Sequence, residues 1–299
     1  MTKKIDLFVY SSFSRSSFSP SSFLTPEQIY KQAKKAGMDF VTLTDVNTLD
    51  GCLNFLDHHP QSRDFIVGEE VWCQVPEFKT TASIGVYGIT ETQHREILKR
   101  KGNMDDLAPY LKEEGITHIL GHFLYRFAKS ARHPAYISKL LELFDIFEVH
   151  HGQVIGDHNL MSAYFIKSLP HKGIGGGSHA KSLSAIGKTY TVCQASHQRE
   201  LLNNISIGLA STEGTHATLP GLLKEIFENK FEEMIHLHEK KQYLSLAALL
   251  MTLPGRSLKQ FMLKTLELRN EKRHTPFYSL LLGESQRFAC DVPKELIEV

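Results

Sequence analysis

Residues 5–14 read IDLFVYSSFS. The first six alternate, with Ile5, Leu7 and Val9 on one side and Asp6, Phe8 and Tyr10 on the other. A period of two marks a β-strand with two distinct faces. The second face starts with a carboxylate, continues with two aromatics and leads into a serine-rich loop, SSFSRSSFSPSSF at 11–23. Such a loop reads as flexible. The face before it asks for something to hold.

Outward from this strand, strands and helices alternate. Further strands are expected at 39–45 (DFVTLTD), 65–74, 83–90, 117–123, 145–151, 173–177 and 188–193. The first helix has the clearest ends: Thr25 as cap, Pro26 at the first helical position, Glu27 in the first turn and Gly37 as stop. More helices are expected at 50–57, 92–101, 104–114, 134–143, 158–168 and 197–204. Strands alternating with helices imply βαβ units and mostly parallel pairing. So many units over some 220 residues fit an α/β fold of the distorted, TIM-like β/α barrel type. From about residue 217 the alternation stops. Residues 217–242, 244–253 and 257–269 are helical in pattern, which divides the chain into a barrel at 1–216 and an α-helical extension at 217–299.

Composition narrows the functional classes. The chain has 299 residues, 41% apolar and 22% charged, with a net charge of +1. That is enough material for a sizeable core and too little charge to argue for nucleic acid or an anionic membrane as partner. The four cysteines at 52, 73, 193 and 290 have no CxxC spacing, so neither a zinc knuckle nor a redox dithiol is suggested. Scattered thiols suit a reducing compartment. The start, MTKKIDLFVYSS, is too short in apolar residues for a signal-peptide core, and no window reaches the length of a membrane span. Cytoplasmic residence is the expectation.

In β/α barrels the chemistry sits on the carboxyl ends of the strands. Here those ends carry Asp6, Phe8 and Tyr10, then Thr44-Asp45, Gly68-Glu69-Glu70, Gly121-His122, Glu148-Val149-His150-His151, and finally GGGSHAKSLSAIG at 175–187. Carboxylates and imidazoles around a barrel mouth are the donor types of a metal-assisted hydrolase.

These runs, with GMDFVTLTDVNTLDG, VGEEV, VYGITETQHREI and LFDIFEVHHG, resemble the PHP family (polymerase and histidinol phosphatase domain), whose members are distorted β/α barrels and metal-dependent phosphoesterases. The resemblance covers about residues 3–215. It also explains the odd face of the first strand. The family motif there is D-L-H-x-H, and the two histidine positions hold Phe8 and Tyr10. The family's S-D-G corresponds to Ser14-Arg15-Ser16, its T-D-H to Thr44-Asp45-Val46, and its S-D-A-H to Ser178-His179-Ala180-Lys181. A histidine early in the VYGIT strand corresponds to Ser83, whereas Glu70 and His122 match family ligands.

Phenylalanine has no donor atom, and a phenol with a pKa near 10 is a poor ligand for a divalent ion. Arg15 and Lys181 would place positive charge where the resemblance puts metal, and that repulsion grows at low dielectric. The expectation is therefore a degenerate member without a multinuclear centre and without phosphoesterase activity. It would bind a small anionic ligand in the relic pocket, or a protein through the helical tail. The candidate binding residues are Asp45, Glu70, His122, His151, His179 and Lys181. Lys181 and Arg15 would either neutralise Glu70 and Asp45 or hold an anion directly. The competing expectation is a hydrolase with one zinc or manganese ion on Glu70, His122 and His179, which would then be catalytic. A third is purely structural, with the tail burying the mouth.

Overall fold

The computed structural model of the chain describes residues 1–14, 22–121 and 134–239. The opening strand, β1 (Thr2–Ile5), leads into an extended run that is buried on both faces, Asp6, Phe8 and Tyr10 included. Helix α1 (Pro26–Lys35) starts as its sequence predicts. Thr25 and Gln28 form a reciprocal capping box, Pro26 occupies the first turn, and Gly37 takes φ +83° just beyond the end. Next come β2 (Val41–Thr42), α2 (Asp50–His58), β3 (Phe65–Ile66), β4 (Gly68–Val75), β5 (Thr80–Tyr87), α3 (Glu91–Arg100), α4 (Met104–Glu113) and β6 (Thr117–Gly121). The second half holds α5 (Pro134–Leu143), β7 (Ile146–His151), α6 (Gly156–Lys167), β8 (Gly173–Gly177), β9 (Thr189–Gln194), α7 (Gln198–Ser206), β10 (Ala210–Gly214) and α8 (Leu219–Glu239).

The continuous barrel expected from the alternation is not formed among the described residues. Strand pairing divides into three sheets, β1-β9-β10, β2-β3 and β4-β5-β6-β7-β8. Only single parallel bridges run between them, at Ile5–Phe40, Val9–Ala180 and Val46–Glu70. The physical reason lies in where the backbone donors go. Val9 N–H donates to Thr44 Oγ1 (3.0 Å), Ser11 N–H to Asp45 (2.6 Å) and Ser178 N–H to Asp6 (2.8 Å). Side chains thus take amide groups that a ladder would have used.

Pairing is also less parallel than expected. β4-β5 and β5-β6 are antiparallel, while β6-β7 and β7-β8 are parallel. Residues 76–79 are too short for a crossover, so β4 and β5 must form a hairpin. β10, too polar (ASTEG) to stand out in sequence, pairs antiparallel with β9 at the edge of its sheet.

The largest core lies between the five-stranded sheet and its helices, with Val71, Ile84 and Val86 facing Ile97, Leu107, Leu111, Leu140 and Phe144. A second core gathers Leu7, Phe8, Tyr87, Ile119 and Ile146 with Leu201 and Ile205 of α7. Cys52, Cys73 and Cys193 are buried free thiols. No helix among the described residues is long and apolar enough to cross a membrane. Of the helical tail, α8 is described. The segments 244–253 and 257–269 lie outside the described residues.

Candidate functional site

The site forms where β1, β7 and β8 converge. β8, GIGGG, is buried throughout. A Cβ on Gly177 would stand 2.6 Å from Phe8 N, so only glycine lets β8 approach the extension of β1 this closely. Beyond it, Ser178 is anchored to Asp6 through both its N–H (2.8 Å) and its hydroxyl (2.5 Å). His179 then adopts φ +52°, a left-handed conformation that histidine tolerates better than most residues. That turn sends its imidazole inward, where it is 2% exposed.

His179 is the hub of the site. Its Nδ1 lies 2.7 Å from the Tyr10 hydroxyl and its Nε2 lies 2.5 Å from Glu148 Oε1. Its ring stacks on Phe8 (centroids 4.5 Å, planes 10° apart) and on His151 (3.6 Å, 15°). Phe8 and Tyr10 therefore do share one face, as the alternation requires, and His179 is what that face holds.

Tyr10 also hydrogen-bonds Glu70, and burial together with Glu70 and Glu148 pushes its phenol well above the ordinary range. Glu70 accepts a further hydrogen bond from Ser83, the residue at a matching histidine position.

Glu148, His151 and His179 are the one group of three metal-type donors found among the described residues, their ligand atoms lying within 4.8 Å of one another. Sequence reasoning pairs His151 with His179 but leaves Glu148 out of the candidate set. Strict alternation along EVHH would put Glu148 with His150 and turn His151 away. An irregularity in the β7-β8 register between Glu148 and His150 reverses this, because an extra residue turns the rest of the strand to the other face. His150 turns instead toward His216, with ring centroids 4.6 Å apart. There burial and the neighbouring His216 lower its pKa to about 4, and its Nε2 has no hydrogen-bond partner among the described residues.

The other candidates are dispersed. Asp45 lies apart from this group, accepting Ser11 N–H (2.6 Å) and Ser11 Oγ–H (2.5 Å), and burial raises its pKa to about 6. Asp6 is likewise raised to about 6 by burial, against the pull of its hydrogen bonds from Ser178, Gly187 and Phe8. Lys181 holds its ammonium 5.8 Å from the centre of the Tyr10 ring, and its backbone N–H donates to Glu225 of α8 (2.9 Å). Gln153 donates to the same carboxylate (3.1 Å) and to His179 O (2.7 Å), so α8 is tied to the loops around the site. His122 and Arg15 lie outside the described residues. Of the expected ring, His151 and His179 come together, Glu70 reaches His179 through Tyr10, and Asp45 is bonded to Ser11 instead.

The metal that the family resemblance implies can be tested against these side chains. A bound ion lies near the plane of each ligating imidazole, about 2.0–2.1 Å from nitrogen. His151 and His179 are stacked nearly parallel, so an ion in the plane of one ring is well out of the plane of the other. Both His179 nitrogens are already hydrogen-bonded, and His151 Nδ1 accepts Gln153 N–H (3.1 Å). As they stand, the three side chains do not aim lone pairs at a common point.

The sequence matches no family model and no curated protein. Among solved structures, the chain shares its fold with PsfC from Pseudomonas syringae, at TM-score 0.54 and 14% identity over 78% of this chain and 99% of that one. An amidohydrolase from Chromobacterium violaceum, solved with sulfate and without metal, aligns at TM-score 0.42 and 14% identity, covering 58% and 86% of the two chains. A candidate metal-dependent phosphoesterase from Bifidobacterium adolescentis aligns at 0.43 and 13%, covering 67% and 94%. At these identities the likeness to PsfC speaks for the fold alone.

Proposed function

We propose that the chain is a degenerate PHP-like protein, a phosphoesterase-type scaffold at 1–216 with a helical extension at 217–299, that works as a protein-binding module in the cytoplasm without hydrolysing phosphoesters. The observation that carries this is the filling of the site by His179, which stacks on Phe8 and is hydrogen-bonded at both nitrogens. Phe8 and Tyr10 stand at the positions that the family resemblance gives to histidine ligands. With His179, Glu148, Glu70 and Tyr10 all buried, the interior offers a small anion little access. The extension supplies a more accessible surface, with Phe227 and Phe231 of α8 57% and 61% exposed.

The test is elemental mass spectrometry of tag-free protein equilibrated with zinc, manganese and iron, alongside a panel of phosphoesters. The expected result is near-zero bound metal and no turnover. A tightly held ion in each chain, with hydrolysis lost on changing Glu70 or His179, overturns it. That outcome favours the competing hydrolase, for which the convergence of Glu148, His151 and His179 is the supporting observation.

A further inference from the structure

Helix α8 has two different sides. One is fixed to the rest of the chain: Leu222 and Asn229 are buried, Ser184 Oγ–H donates to Glu228, and Lys181 N–H donates to Glu225. Away from it runs a ridge spaced by four residues, Leu219, Leu223, Phe227 and Phe231. Exposure rises along this ridge, from 38% at Leu219 to 57% and 61% at the two phenylalanines. Phe227 and Phe231 line a groove of about 570 Å³ together with Leu183 of the turn at Leu183–Ala185. Ridges at a spacing of four are what a second helix packs against, and an exposed apolar ridge beside a groove marks a binding surface.

We infer that residues 244–253 of the same chain occupy this surface, returning antiparallel to α8 and laying an apolar face on its ridge. Residues 240–299 follow α8 directly, and their first apolar run is LSLAALLMTL at 244–253. It carries no charge, and Ser245 and Thr252 are its only polar residues. Leu246, Leu249, Leu250 and Leu253 fall at i, i+3, i+4 and i+7, one face of a helix. The connection, KKQY at 240–243, has the length that joins two antiparallel helices. At about 1.5 Å per residue, a ten-residue helix spans about 15 Å, while Phe231 lies about 12 Å back from the end of α8 at Glu239. The segment therefore covers Phe231 and approaches Phe227 before Pro254-Gly255 ends it. So short a tether also holds it at roughly millimolar effective concentration, an advantage that a second copy of the chain lacks.

This rests on the reading of α8 as a protein-binding surface and adds its regulation. The chain's own segment occupies that face, and a protein partner has to displace it.

The first measurement uses the full chain with p-benzoylphenylalanine in place of Phe231. Irradiation is expected to give a monomeric product cross-linked to a peptide within 244–253. L249D/L250D puts carboxylates on the apolar face and is expected to abolish that product, whereas A248D, on the opposite face of the helix, keeps it. The second measurement is bis-ANS fluorescence of the chain without the photoreactive residue. It is expected to rise several-fold in L249D/L250D and to return toward the wild-type level when F227S/F231S is added, because the uncovered ridge is then lost. If L249D/L250D does not fold, the cross-link in the chain that carries only the photoreactive residue still decides.

A cross-link to a second copy, to 257–269 or to any other part of the chain overturns the assignment, and so does the absence of a cross-link. Equal dye binding by wild type and L249D/L250D overturns the regulatory role, because the face would then already be open. Stoichiometric metal with phosphoester turnover instead overturns the reading on which the inference rests, and leaves the docking of 244–253 in place.

Discussion

Gly51 is the second residue of α2, and it is where a routine substitution should have the opposite of its routine effect. In an exposed helix, replacing glycine by alanine stabilises by about 1 kcal/mol. Here the added Cβ would stand 2.2 Å from Asp45 Oδ2 and 2.7 Å from Ser11 Oγ. The carboxylate must move, and with it go the hydrogen bonds from Ser11 N–H and Ser11 Oγ–H. A hydrogen bond to a charged group contributes about 1.5–3 kcal/mol, so losing two removes roughly 3–6 kcal/mol. Set against the gain in helix propensity, G51A should be destabilised by about 2–5 kcal/mol. In a chain of this size that lowers the melting temperature by roughly 5–15 °C. Thermal and urea unfolding read it directly. G102A is the control, because nothing lies within 4 Å of a Cβ there, and it should be neutral or slightly stabilised. A G51A protein that melts at or above the wild-type temperature would refute the close packing of Asp45, Ser11 and α2.

Other consequences can be checked alongside. Burial raises Asp6 and Asp45 to about 6 in the fold, above their unfolded value of 3.8. The folded state therefore binds these protons more tightly, and their contribution to stability falls as pH rises from about 4 through about 6, by roughly 3 kcal/mol each. The difference in unfolding free energy between wild type and D45N, tracked across that window, should show the Asp45 share of the slope; parallel curves would contradict it. E225A removes the carboxylate that accepts Lys181 N–H and one of the two acceptors of the Gln153 side-chain amide, which keeps its bond to His179 O. Amide exchange at Lys181 should then quicken by about tenfold or more, and unchanged exchange would mean that α8 does not clamp these loops. Lys172 donates to Leu141 O and Phe144 O, both at 2.7 Å, and to Asp145 at 2.9 Å. K172M should cost about 1–3 kcal/mol in denaturant unfolding; a loss within error would show that water serves these carbonyls equally well.

The two faces of IDLFVY, the cap of α1 and most of the order of strands and helices could be read from residues, because each depends on neighbours a few positions apart; β10 and the division of 65–74 into two strands could not. The presence of Phe8, Tyr10 and Val46 where the family resemblance places imidazoles could be read too, since identity alone decides whether a side chain carries a metal-binding nitrogen. The register of β7 could not. One irregularity between Glu148 and His150 exchanges the partners of His150 and His151, and alternation has no means of announcing it. The break-up of the expected barrel was equally hidden, because it arises from Thr44, Asp45 and Asp6 taking backbone donors from residues distant in sequence.

The sequence alone put the aromatic rings of Phe8 and Tyr10 on one face of the opening run and a histidine at position 179. Only the folded chain decided what that histidine does. A left-handed turn after a glycine-rich strand brings its ring between Tyr10 and Glu148, residues 169 and 31 positions away. No local pattern encodes a hydrogen bond over such distances, because it exists only once the strands have packed.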